Sequence, residues 1–97
     1  MDYRRRPLET AYAVPFLIDR SPATNEYTLT NVGKETVDGV TFTLHGTGVM
    51  SASAPARLEV GEALVVTIVG RDLARNTILV VRWFRPDEVE YLWRVAF

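Results

Sequence analysis

Hydrophobic and polar residues alternate along most of this chain in short runs, and Gly, Pro, Asn and Asp punctuate them. Tyr27 and Leu29 alternate with Glu26, Thr28 and Thr30, and Val40, Phe42 and Leu44 alternate with Thr41 and Thr43. Leu64, Val66 and Ile68 share one parity, as do Leu79, Val81 and Trp83. A period of two places alternate residues on opposite faces of a strand. The pattern predicts strands over 12–18, 26–31, 40–45, 63–69, 77–84 and 90–97. Residues 49–56 read as a short edge segment or loop, and residues 57–60 as a brief pairing. About seven short strands at such spacing predict an all-β, antiparallel sandwich in two sheets. Residues 70–76 leave room for one helical turn.

The turns carry their own signals. Pro15 lacks an N–H, so the first strand belongs at an edge or is broken there. Residues 19–25 and 31–34 have turn chemistry, with Gly33 available for positive φ. The loop around Arg85, Pro86, Asp87 and Glu88 fixes the register of the last hairpin. An odd loop sets Leu79, Val81 and Trp83 on the same face as Tyr91, Trp93 and Val95. An even loop sets Arg94 beside the core, where an unpaired cation is costly. The odd loop is therefore expected. One sheet should hold the strands around Val14, Leu29 and Val66, the other those around Phe42, Val81 and Trp93. The expected core comprises Phe16, Tyr27, Leu29, Val40, Phe42, Leu44, Leu64, Val66, Ile68, Leu79, Val81, Trp83, Trp93 and Val95.

Composition narrows the chemistry. At 97 residues the chain makes one domain, expected over 10–97 behind a flexible arm at 1–9. A net charge of −1 offers no field for nucleic acid or an anionic membrane. There is no cysteine, which excludes disulfides, thiol catalysis and zinc–thiolate sites. Arg4, Arg5 and Arg6 precede no apolar stretch, no span suits a bilayer, and no Asn lies in a glycosylation sequon. A cytoplasmic location is expected.

Each motif with chemical potential has a simpler reading. His45, the one histidine, falls outward at a strand end, with no nucleophile or orienting carboxylate in its pattern. Asp87, Glu88 and Glu90 cluster at a hairpin tip, where solvent keeps carboxylates ordinary, and they lack calcium-loop spacing. Gly46-Thr47-Gly48 is followed by no helix, so it is a turn and not a phosphate cradle. Arg4-Arg5-Arg6 is a solvated tail. No cofactor, metal site or catalytic set is expected, and the chain reads as non-enzymatic.

The segment Tyr27-Thr28-Leu29-Thr30-Asn31-Val32-Gly33, followed by Gly39-Val40-Thr41-Phe42-Thr43-Leu44, resembles the strand–N-x-G–strand signature of bacterial immunoglobulin-like accessory domains. It is similar to the cell-adhesion-related domains termed CARDB. Leu58-Glu59-Val60-Gly61-Glu62 before Leu64–Ile68 is similar to their turn-then-strand element. The resemblance spans residues 27–97, without the Cys…Trp…Cys pattern of antibody domains. It implies a non-catalytic immunoglobulin-like sandwich and carries over no functional residue.

With the tryptophans inward, the outer face of the C-terminal sheet carries Thr41, Thr43, Val80, Arg82, Phe84, Leu92 and Arg94. Val80, Phe84 and Leu92 are large apolar groups for a face that water should cover. Arginine beside an aromatic is enriched at interfaces. The expected function is a protein–protein interaction or structural module, binding a protein partner or a second copy through this face; the simpler reading of the face is that the N-terminal arm or a loop folds over it within the monomer. The alternative is a carbohydrate- or small-ligand-binding module using exposed Trp83, Trp93 and Tyr91.

Overall fold

The computed structural model describes residues 12–21, 25–53 and 55–97, and the expected arm at 1–9 lies outside them. Among the described residues, eight strands form two antiparallel sheets packed as a sandwich. They are β1 (Phe16–Ser21), β2 (Glu26–Asn31), β3 (Val37–Gly46), β4 (Val49–Ala52), β5 (Ala56–Leu58), β6 (Ala63–Val69), β7 (Thr77–Phe84) and β8 (Glu90–Ala96). One helical turn, α1 (Leu73–Asn76), joins β6 to β7. The first sheet has the order β1-β2-β6-β4 and the second β5-β3-β7-β8. The sheet memberships thus agree with the pattern. The count is one higher because residues 49–58 pair twice: β4 borders the first sheet and β5 the second.

The first strand departs from expectation. β1 begins at Phe16, after Pro15, and runs through Asp19 and Arg20. Val14 is 40% exposed and joins no strand. Proline supplies no N–H for a ladder, but the Pro15 carbonyl accepts from the Val32 N–H at 2.8 Å. β1 is an edge strand, as a proline at its start allows.

Apolar residues from both inner faces make one core: Phe16, Leu29, Val37, Val40, Leu58, Val66, Ile68, Leu79, Val81, Trp83 and Val95 are buried. Tyr27, Phe42, Leu44, Leu64 and Trp93 pack against it half-buried. Val37 and Val40 are both fully buried although three residues apart, which a regular strand forbids. The pairings Asp38↔Phe84 and Thr41↔Arg82 show why: β3 carries one extra residue there. Gly39 takes φ +55° in this bulge, a conformation that glycine adopts without steric cost. The bulge resets the parity, so β3 enters the core on both sides of it.

Asn31 is the fully buried polar residue at the end of β2. Its Nδ2 donates to the carbonyls of Glu35 and Leu58, each at 3.0 Å. Its Oδ1 accepts from the Gly33 N–H at 3.0 Å. Its own N–H donates to the Glu62 carbonyl and its carbonyl accepts from the Gly61 N–H. Every polar atom is paired, as burial demands. Gly33, available for positive φ, does not adopt it. A side chain there would instead meet Pro15 Cβ at 2.8 Å, so glycine permits a close approach of two chain segments.

Asn31→Ala strips the partner from the buried Leu58 carbonyl and from the part-buried Glu35 carbonyl and Gly33 N–H, and should cost about 3 kcal/mol in denaturant unfolding. Asn31→Asp keeps the Gly33 bond but points a carboxylate at two carbonyls. Its folded-state pKa must rise above the unfolded value, so the folded protein disfavours the ionised form. Unfolding measured from pH 4 to pH 8 should show this variant losing stability as pH rises, with the wild type showing no such component.

Candidate functional site

The register of the second sheet decides which side chains reach solvent. β7 pairs with β8 as Val80↔Arg94, Val81↔Trp93, Arg82↔Leu92 and Trp83↔Tyr91, and with β3 as Thr41↔Arg82 and Thr43↔Val80. The hairpin loop closes through Arg85 N–H to the Val89 carbonyl and Glu88 N–H to the Arg85 carbonyl. The turn ends on Glu88 at φ 67°, and the pairing Phe84↔Glu90 makes it the odd loop that the register required. Thr41, Thr43, Val80, Arg82, Phe84, Leu92 and Arg94 therefore do share one outer face.

Their exposure is uneven. Leu92 is 63% exposed, and Thr43, Arg82 and Arg94 are also exposed. Thr41, Val80 and Phe84 are half-buried, a correction to the picture of a wholly bare apolar patch. Phe84 is covered from two sides. Its ring lies against Gly39, where an added Cβ would come within 2.9 Å, and the Arg82 guanidinium sits 5.5 Å from its centroid. Arg82 Nη1 also meets Glu90 Oε2 at 3.2 Å, with both side chains nearly half exposed. Such a pair contributes little to stability. Its effect is to keep the guanidinium within cation–π range of the Phe84 ring.

Of the aromatics of the other parity, Trp83 is withdrawn from any surface platform, while Tyr91 and Trp93 are half-buried. Trp83 is 1% exposed, edge-on to Phe16 and stacked on Tyr91 at 5.8 Å. The remaining singled-out residues are scattered. His45, Asp87 and Glu88 are exposed at chain turns or strand ends. Gly46 and Gly48 have positive φ in a plain turn, with Thr77 Oγ1 donating to the Thr47 carbonyl at 2.6 Å. Arg4, Arg5 and Arg6 lie outside the described residues. Among the described residues no group of three or more His, Asp or Glu is placed to hold a metal, and no helix is long and apolar enough to cross a membrane.

Pattern reading missed a second polar assembly, at the rim of the sandwich beside the hairpin loop. Arg85 Nε donates to Glu35 Oε1 at 2.6 Å, its guanidinium lies 4.0 Å from the Tyr12 ring centroid, and its Nη1 reaches Tyr91 Oη at 3.5 Å. Glu35 and then Tyr91 hold the Arg85 proton more tightly than usual. Trp83 Nε1 donates to Tyr12 Oη at 3.1 Å, which satisfies the indole of the largest core residue. Burial raises the Tyr12 phenol above its ordinary 10.0, against the opposing influence of Trp83 and Arg85. The partners are 50 and 71 residues apart, so no local spacing could have shown them. Comparison with protein-family models, with curated proteins and with solved structures finds no match for this chain.

Tyr12→Phe leaves the Trp83 N–H without its acceptor and should cost about 1–2 kcal/mol in urea unfolding. In the wild type the unfolded chain loses the Tyr12 proton first. Its stabilising contribution is complete below pH 10 and is lost as pH climbs through the raised folded pKa. An alkaline titration of stability should therefore fall less steeply in Tyr12→Phe.

Proposed function

We propose that this chain is a non-catalytic protein-interaction module of immunoglobulin-like type, acting through the outer face of its second sheet. The observation that carries the reading is that face: exposed Leu92 beside half-buried Val80 and Phe84, flanked by Arg82 and Arg94. Antiparallel sheets normally turn polar residues to water, and an apolar strip rimmed by arginines matches the make-up of protein interfaces. Strand order supports the immunoglobulin-like part. β1-β2-β6-β4 follows the ABED order, and β3-β7-β8 follows CFG, with β5 added at the edge of the latter. The CARDB-type resemblance is consistent with that order. No partner of nucleic acid or lipid is proposed, since the net charge is −1.

Val80→Glu, at the centre of the strip, tests the reading. Affinity capture from native lysate with the wild type should retain a partner that the variant loses, while the melting temperatures of the two stay close. A variant that retains the same partner shows that the face is not the binding surface.

A further inference from the structure

We propose that β8 pairs edge to edge with β8 of a second copy of this chain, centred on Leu92, to join two second sheets into one. This concerns the edge of the sheet and stands whether or not the outer face binds another protein. Among the described residues β8 is paired only with β7, so its other edge is open. The phase of its backbone follows from the hairpin. Arg85 and Val89 are the bonded pair that closes the loop, so Trp83/Tyr91 and Val81/Trp93 are bonded pairs in turn. Glu90, Leu92, Arg94 and Ala96 therefore direct N–H and C=O away from β7, toward the open edge. The Ala96 carbonyl confirms the phase: it accepts from Arg20 Nη2 at 2.7 Å, across the edge.

The segment Glu90-Tyr91-Leu92-Trp93-Arg94 is its own complement when read antiparallel. With a two-fold axis at Leu92, Leu92 faces its copy, Glu90 of each chain faces Arg94 of the other, and Tyr91 faces Trp93. The residues so opposed on the outer face are the same ones whose backbone groups are free, so hydrogen bonding and side-chain matching use one register. Opposite charges directly across, and aromatic pairs beside them, stabilise a strand pair, whereas like charges there oppose it. Shifting the axis to Trp93 sets Glu90 against Ala96, whose carbonyl Arg20 already occupies, and loses both charge pairs. A long unprotected edge invites pairing with another chain, and a C2 axis closes it to a dimer.

Charge reversal tests the register. Sedimentation equilibrium over a dilution series should show a reversible dimer of the wild type. Glu90→Arg sets cations against each other at both ends of the seam, and Arg94→Glu does the same with anions. Each should weaken the dimer about tenfold or more. The double variant Glu90→Arg/Arg94→Glu restores opposition with signs exchanged and should recover wild-type association. Circular dichroism and melting temperature verify that each variant is folded, and Trp93 emission should shift with dimer fraction. A wild type that stays monomeric at about millimolar concentration overturns the proposal, as do single variants that dimerise unchanged or a double variant that fails to recover.

Discussion

The hydrogen bonds of Asn31 are the constraint on which the rest of the sandwich depends. At this point the chain leaves the first sheet for the second, and β5 and the turn before β6 converge on the same spot. Three backbone segments arrive with polar groups wholly or partly withdrawn from water, and one carboxamide completes them. A hydrocarbon of equal size would fill the space and leave those groups orphaned. By fixing the 32–36 connection and β5, Asn31 sets where β3 begins. That in turn places the Gly39 bulge, and the bulge supports Phe84 on the outer face.

Much of this was legible in the alternation of residues, and what was not has definite causes. Sheet membership and the last register followed from parity, because a one-residue slip would have buried Arg94. Val37 escaped because the extra residue at Gly39 inverts parity, and counting back from Val40 places Val37 outside. Leu58 escaped because β5 is three residues long, too short to show a period. The seven outer-face residues were placed together correctly, but not their cover. Gly39 and the Arg82 guanidinium shade Phe84 through contacts that only coordinates reveal. The Tyr12–Trp83–Tyr91–Arg85–Glu35 assembly joins distant parts of the chain, and pattern had assigned Tyr12 to a strand that starts four residues later.

One hairpin carries both the firmest part of the core and the candidate surface. Its odd loop, with Glu88 in the left-handed region, divides β7 and β8 between two chemistries. Trp83 and Val95 turn inward and are buried, while Arg82, Leu92 and Arg94 turn outward. The candidate surface is thus backed by the buried inner face of the same hairpin. A partner meeting it would encounter side chains whose backbone is already ordered, which lowers the entropy lost on association.

The double pairing of residues 49–58 has a mechanical side. A segment whose first half is hydrogen-bonded into one sheet and whose second half is bonded into the other acts as a lace along one flank. On the opposite flank Arg20 of β1 bonds the Ala96 carbonyl of β8 and Tyr27 of β2 packs edge-on against Phe97, with no ladder joining β1 and β8 among the described residues. The sandwich is therefore hinged like a book, with a bound spine at β4 and β5 and a lightly fastened fore-edge at β1 and β8. Breathing motions will begin at the fore-edge. The spine keeps the two layers from melting separately, so opening that passes the Asn31 cluster becomes unfolding of the whole domain.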